Sequence, residues 1–137
     1  MTTTGQVEAL TATQVGALTT DNVAALSTDQ VMVLSSKAIT ALTATQIDAM
    51  STDQIEALTS AQVSALSSVS IDAMSTDDIA TFSTDDIAAI SVKALGGLST
   101  DDISNLSSDQ LQALTSTQIQ ALDEDQVASI ILAYQAI

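Results

Sequence analysis

The sequence contains no cysteine, histidine, arginine or proline, and Phe82 and Tyr134 are its only aromatic residues. Without histidine or cysteine, it lacks the side chains most often used as general bases and strong nucleophiles. Lys37 and Lys93 are the only basic side chains, against 17 acidic ones and a net charge of −15. Nucleic acids and anionic lipid surfaces attract clustered lysine and arginine, so neither is expected as a partner.

Long apolar runs are also missing, although hydrophobic residues make up 46% of the chain. No run approaches the roughly 18 residues of a membrane-spanning helix, so membrane insertion is not expected. A basic segment followed by an apolar one, as in a Sec signal peptide, is not visible either. The aliphatic residues are spread evenly, which predicts a folded chain rather than a disordered acidic tail.

The chain is instead an uninterrupted series of sixteen eight-residue units, here called octads, over residues 3–130. Place 1 of the octad is serine or threonine in fifteen units and Asp123 in the last. Place 5 is always valine, isoleucine or leucine, and place 8 is always leucine, methionine, phenylalanine or isoleucine. Place 4 is glutamine, asparagine or aspartate in thirteen units. Such regularity predicts one structural unit per octad.

Each octad has the pattern of a helix N-terminus. A serine or threonine side chain at place 1 can accept a hydrogen bond from a free amide of the first turn. Glutamine at place 4, as in Gln54, can return a bond to the cap residue and complete a capping box. The aspartates common at place 3, such as Asp53, favour the positive end of the helix dipole.

Two other folds fit the pattern less well. In one continuous helix, the apolar stripe would advance by about 80° per octad and soon circle the helix. In a β-solenoid, places 5, 7 and 8 would point to both faces of a strand. We therefore predict an all-α solenoid of sixteen very short helices over residues 3–130, with an apolar tail or cap at 131–137.

Three octads depart from the capping box, at Lys37–Ala38, Val69–Ser70 and Lys93–Ala94. The two lysines share one repeat place, which suggests one side of the superhelix and a contact surface, although simple drift of the repeat explains the pattern equally well. Gly96 and Gly97 are expected to loosen the coil locally.

The apolar end of the chain suggests self-assembly, because an uncovered solenoid end exposes its core. Tyr134 is interpreted as an anchor of this segment. The candidate assembly residues are Lys37, Lys93, Ile130, Ile131, Leu132, Tyr134 and Ile137.

Acidic pairs such as Asp77–Asp78, Asp85–Asp86 and Asp101–Asp102 are interpreted as helix caps on a solvated face. Weak calcium binding is the alternative, although no glycine-containing calcium loop accompanies the pairs. No cofactor is expected, and no base is available to activate the many hydroxyl groups, so we predict that the chain is not an enzyme. An ice-binding array of threonines is a further alternative, which the interspersed aspartates disfavour.

The consensus L-[ST]-x-[DT]-Q-[IV]-x-A-L, seen in Leu42-Thr-Ala-Thr-Gln-Ile-Asp-Ala-Met50, resembles repeat tracts of large bacterial surface or secreted proteins that are adhesin-like. The resemblance implies an extracellular or cell-surface structural role and is compatible with type I secretion, while a cytoplasmic location stays open. Two functions follow. One is a subunit that assembles head to tail with itself into a fibre, layer or matrix. The other is a monomeric adhesin stalk or a solenoid that binds another protein.

Overall fold

The computed structural model describes residues 3–136. These residues form fifteen α-helices and one 3₁₀ helix, with no β-strand, which confirms the all-α solenoid prediction. The α-helices are α1 (Thr4–Glu8), α2 (Ala12–Gly16), α3 (Thr20–Ala24), α4 (Thr28–Met32), α5 (Ser36–Ala41), α6 (Ala44–Asp48), α7 (Thr52–Glu56), α8 (Ser60–Ser64), α9 (Ser68–Asp72), α10 (Thr76–Ala80), α11 (Thr84–Ala89), α12 (Thr100–Ser104), α13 (Ser108–Ala113), α14 (Ser116–Gln120) and α15 (Glu124–Gln135). The twelfth octad forms the 3₁₀ helix, Ala94–Gly97, between α11 and α12.

The capping boxes form in all thirteen octads whose place 4 is glutamine, asparagine or aspartate. In a typical octad, Ser51 Oγ accepts from the Gln54 amide at 3.1 Å, and the Ser51 amide donates to Gln54 Oε1 at 2.8 Å. The other three octads have Ala38, Ser70 or Ala94 at place 4, and none of these side chains reaches back to the cap amide. Local capping chemistry therefore explains where the α-helices begin.

The connections between helices need neither glycine nor proline. A typical helix ends at place 7 in the right-handed helical region, as at Ala57 (φ −74°, ψ −11°), and the next cap is extended, as at Thr59 (φ −79°, ψ 162°). No described residue has a positive φ. Every bend is therefore built from conformations open to any L-residue, which explains how the chain turns repeatedly with only four glycines.

The short helices coil so that each one packs against the turn before it. A helix typically contacts the helix three octads further on, as α2 contacts α5 and α4 contacts α7. Side-chain hydrogen bonds also reach four octads back, as from Gln62 to the carbonyl of Val31. One turn of the coil therefore contains between three and four octads. Because neighbours along the coil are also neighbours in sequence, contacts are confined to adjacent turns.

The core runs along the axis of the coil and consists of places 5 and 8. All place-5 side chains are buried except Ile119 and Val127, which are half-buried. Place 8 is buried throughout the middle of the chain, for example at Leu66 and Phe82, and is half-buried only near the ends. An isolated helix of five or six residues is unstable in water, so this shared aliphatic core stabilises all of them together.

The expectation that Gly96 and Gly97 loosen the coil is wrong. The 3₁₀ helix packs so closely on α9 that a Cβ atom at Gly97 would lie 2.1 Å from the carbonyl oxygen of Ser68. Ala94, at place 4, is completely buried in the same octad. Small residues therefore allow the backbones of two turns to approach here, while Gly96 is exposed and has no neighbour near its missing Cβ.

Candidate functional site

The place-4 carboxamide joins successive turns of the solenoid. Gln62 is 3% exposed, and its Nε2 donates to the main-chain carbonyls of Val31 at 2.7 Å and Leu34 at 2.8 Å. Its Oε1 meanwhile accepts from the Thr59 amide at 2.9 Å, so one side chain both caps its own helix and bonds to the preceding turn. We call this arrangement the carboxamide bridge.

The bridge recurs with the same sequence separations, 31 residues to a place-5 carbonyl and 28 residues to a place-8 carbonyl. It is formed by Gln46, Gln54, Gln62, Gln110, Gln118 and Gln126. In every case the amide donates toward the N-terminal end of the coil and the carbonyl pair accepts from the C-terminal side. The solenoid is therefore polar: one end presents donors and the other presents acceptors.

The bridge was missed by the sequence analysis, which assigned place 4 only to capping. One feature of the sequence could have revealed the bridge. Glutamate and glutamine are the usual capping-box partners of serine, yet glutamate never occupies place 4 in this acidic chain. Glutamate could accept the cap bond as well as glutamine can, but an ionised carboxylate has no proton to donate to a carbonyl. The absence of glutamate is therefore a signal that a donor is favoured at place 4, although Asp78, Asp86 and Asp102 show that a shorter carboxylate is also accommodated there.

The interpretation of the acidic pairs as caps on a solvated face is only half correct. Asp77, Asp85 and Asp101, at place 3, are exposed. Their neighbours at place 4 are buried at 5 to 8% exposure; these are Asp78, Asp86 and Asp102. Each buried carboxylate completes a capping box, as Asp78 Oδ2 does by accepting from the Ser75 amide at 3.1 Å. Within residues 3–136, no group of three or more acidic side chains converges as a metal site would require.

The N-terminal face of the solenoid exposes the donors of its first turn. The place-4 side chains Gln6, Gln14 and Asn22 are exposed, although each still completes its own capping box. Beside them, the place-8 leucines of the same three octads are only half-buried. The face contains a groove of about 570 Å³, here called the N-terminal groove, which is lined by Val7, Leu10, Leu18, Asn22, Ala25, Leu26, Ser27 and Gln30.

The C-terminal face is partly covered by α15, which continues past the last octad. Tyr134 Oη donates to the carbonyl of Leu111 at 2.7 Å, so the tyrosine does anchor this segment. Ile130 is a core residue with 4% exposure, whereas Ile131 and Leu132 are 52% and 67% exposed. Ile137, the remaining candidate in this segment, lies outside the described residues. The helix does not fully cover octad 15, whose core residues Ile119 and Leu122 are half-buried.

The two lysines are both exposed, and the structure separates them by seven octads, which is about two turns of the coil. They therefore lie on the same side of the solenoid, together with the third irregular octad, where Val69 is 60% exposed. The irregular octads coincide with close packing between turns, as where α5 meets α2 and where the 3₁₀ helix meets α9. A contact role for Lys37 and Lys93 stays a prediction.

The fold defines the class of protein: a tandem helical repeat protein that forms a solenoid. The ALTTAQ repeat family model matches residues 3–28, 23–60 and 79–116, and the chain belongs to this family. The name follows the octad itself, because residues 57–62 supply five of its six letters in order, at Ala57, Leu58, Thr59, Ala61 and Gln62. No curated protein and no solved structure matches the chain.

This family and the all-helical repeat fold point to a structural role rather than to catalysis. Among the described residues, no helix combines the length and the hydropathy needed to cross a membrane.

Proposed function

We propose that the chain is a non-enzymatic structural subunit, which associates end to end with further copies to build a fibre, layer or matrix. The observation that supports this most directly is that both end faces leave core positions incompletely covered. Leu10, Leu18 and Leu26 are half-buried at one end, and Ile119 and Leu122 at the other. In the middle of the solenoid the same places are buried by the adjacent turn, so another solenoid end would complete them.

The two faces differ in shape and chemistry, so the contact between copies is heterologous. The N-terminal face has a groove and exposed carboxamides, while the C-terminal face has exposed Ile131 and Leu132. A heterologous contact that does not close into a ring produces an open filament. Each added copy again offers a free face of each kind, so growth has no fixed end.

The proposed location is outside the cell or at its surface. The resemblance to repeat tracts of bacterial surface proteins and the absence of cysteine both suit an extracellular structural protein. The net charge of −15 opposes association through like-charge repulsion, so added salt should favour assembly by screening it.

The test is the mass of the purified chain by light scattering across a concentration series. We expect growth well beyond 14.0 kDa, and we expect that growth to be lost in the double variant Ile131→Asp, Leu132→Asp. The matched control is Ala80→Asp, Ala88→Asp, which adds the same charge to exposed apolar positions in regular octads, away from the terminal segment and from both lysines. A constant mass of 14.0 kDa under all conditions would contradict assembly and leave a monomeric stalk or protein-binding solenoid.

A further inference from the structure

We propose that copies of this chain also pack side by side, with the flank that carries both lysines set against an acidic ridge of the neighbouring copy. This contact goes beyond the proposed end-to-end assembly, because it joins solenoids laterally and so distinguishes a layer from a single fibre. The occupant of the flank is a second copy of this chain in the same orientation.

The acidic residues are unevenly distributed around the coil. Octads 2, 5, 8, 12 and 15 contain none, and all 17 lie in the other eleven octads. The acid-free octads follow one another at steps of three or four octads, and one turn of the coil contains between three and four. They therefore lie on one side of the solenoid. We call this side the lysine flank, because Lys37 lies in octad 5 and Lys93 lies in octad 12.

The surface of the lysine flank allows another molecule to approach closely. Places 3 and 6 are exposed in all five octads, and apart from the lysines they hold only glycine, alanine, serine, threonine or glutamine. Val92, beside Lys93, is 46% exposed, so the flank also has an apolar side chain to bury. Within residues 3–136, no carboxylate pairs with either lysine ammonium group. Both positive charges are therefore available to another molecule.

The acidic ridge lies on the opposite side of the solenoid. It consists of octads 7, 10 and 13, whose helices α7, α10 and α12 contact one another in succession. These octads contain six acidic residues and no lysine, and four of the six are exposed, namely Asp53, Glu56, Asp77 and Asp101. Octad 10 is two octads from octad 8 and two from octad 12, which is about half a turn, so the ridge faces away from the lysine flank.

Charge favours this pairing over other lateral contacts. The chain has a net charge of −15, so most surfaces of two copies would meet acid against acid. The octads of the lysine flank contribute no acidic residue, and their two lysines are the only basic side chains of the sequence. Set against the acidic ridge, these lysines replace repulsion with ion pairs. Opposite charge thus assigns the ridge of a second copy to the flank.

The lysines and the ridge also match in height along the axis. In a neighbour displaced sideways without rotation, octads 7 and 10 lie within about half a turn of the heights of octads 5 and 12. Lys37 then faces Asp53 and Glu56, while Lys93 faces Asp77. Because the displaced copy has the same orientation, it offers its own flank to a third copy. A heterologous contact of this kind continues without closing, so side-by-side solenoids form a layer.

The test places single cysteines on the two surfaces, which the cysteine-free sequence allows. Gly96→Cys marks the flank and Ala80→Cys marks the ridge; both positions are exposed, and nothing lies near the missing Cβ of Gly96. Both chains also carry Ile131→Asp and Leu132→Asp, which block the proposed end contact. An equimolar mixture is treated with a short thiol-specific cross-linker, and peptide mass spectrometry counts the flank–ridge pairs. These pairs should exceed those formed when Ala88→Cys, at an exposed position in octad 11 outside both surfaces, replaces Ala80→Cys.

Removing the two positive charges tests the chemistry of the contact. Lys37→Gln with Lys93→Gln, added to the flank chain, should lower the yield of flank–ridge pairs by about fivefold, the effect of losing two exposed ion pairs. Ala88→Glu with Gln112→Glu makes the same change in net charge at exposed positions in octads 11 and 14, outside both surfaces. This control should change the yield by less than about twofold. Equal thermal unfolding, followed by circular dichroism, shows that the variants retain the fold.

The outcomes separate this inference from the proposed function. A flank–ridge yield no higher than the yield with Ala88→Cys would overturn the lateral contact, and so would equal losses from the lysine changes and their control. End-to-end assembly would then still stand, because it is measured by the mass of chains with an unaltered terminal segment. If those chains stay at 14.0 kDa while flank–ridge pairs form, end-to-end assembly fails and the lateral contact stands.

Discussion

Replacing Gln62 with glutamate isolates the carboxamide bridge from the capping box, because glutamate has nearly the same size and keeps the accepting oxygen. In the native chain, Gln62 Nε2 donates to the carbonyls of Val31 and Leu34 at 2.7 and 2.8 Å, with 3% of the residue exposed. Gln62→Glu removes both donations and places a carboxylate against two carbonyl oxygens. The bond from the Thr59 amide, at 2.9 Å, can persist.

The expected loss follows from these contacts. Two neutral hydrogen bonds contribute about 1–3 kcal/mol together. The buried charge keeps the Thr59 amide as a donor to one oxygen, but its other oxygen faces the two carbonyl oxygens, which brings the total loss to about 3–5 kcal/mol. For a domain of this size that corresponds to a fall in melting temperature of roughly 10–15 °C. The loss should shrink in acid, since a protonated carboxyl can again donate one hydrogen bond.

Gln6→Glu is the matched control for this measurement. Gln6 has the same capping box, with the Thr3 amide donating to Oε1 at 2.9 Å, but it is exposed on the N-terminal face. A carboxylate near the helix N-terminus is favourable by about 0.3–1 kcal/mol, so this variant should be neutral or slightly stabilised. Thermal unfolding by circular dichroism, at a dilution where light scattering shows monomers, compares the two variants. Equal shifts for both would refute the bridge as a source of stability.

Three further changes test other contacts. Asp102→Gln should raise the free energy of unfolding by about 1–2 kcal/mol, because a glutamine there can form the carboxamide bridge to the preceding turn. The control is Asp101→Gln at the exposed neighbouring position, which should alter the free energy of unfolding by less than about 0.5 kcal/mol. A larger gain from Asp101→Gln than from Asp102→Gln would contradict the bridge. Gly97→Ala should destabilise the chain by about 3 kcal/mol or more, because its Cβ would meet a carbonyl oxygen at 2.1 Å. Gly96→Ala is the control and should be neutral or stabilising by up to about 1 kcal/mol. Chemical denaturation measures both. Tyr134→Phe should cost about 1 kcal/mol and increase hydrogen exchange in α15, and unchanged exchange would show that the hydroxyl does not anchor the helix.

The parts of the fold that the sequence predicts are those decided within a single octad. A cap such as Ser51 and its partner Gln54 are three residues apart, so their hydrogen bonds follow from the local pattern alone. The spacing of Ile55 and Leu58 likewise identifies the buried side of each helix. For these features, sequence separation and spatial separation are nearly the same, and pattern recognition suffices.

The parts that the sequence does not predict depend on contacts between turns. The number of octads per turn is set by how closely helices approach across a separation of 28 to 31 residues, which no local pattern encodes. The burial of Asp78, the second role of Gln62 and the close packing at Gly97 all depend on that geometry. The terminal helix was missed for a related reason, since residues after Ile130 leave the octad pattern but continue its last helix.

The irregular octads give the repeat a unique register. In a uniform series, every turn would offer the same carboxamides and the same carbonyl pairs. A shift of one turn against the next by one octad would then replace each contact with an equivalent one. Octad 12 prevents this exchange, because Gly97 is the only glycine at place 7 and its backbone fits against Ser68 only where no Cβ intervenes. Ala94 and Ala38 likewise leave room for close approach where a glutamine would keep the turns apart. Regular octads therefore provide most of the stability, whereas the exceptions determine which turn packs on which.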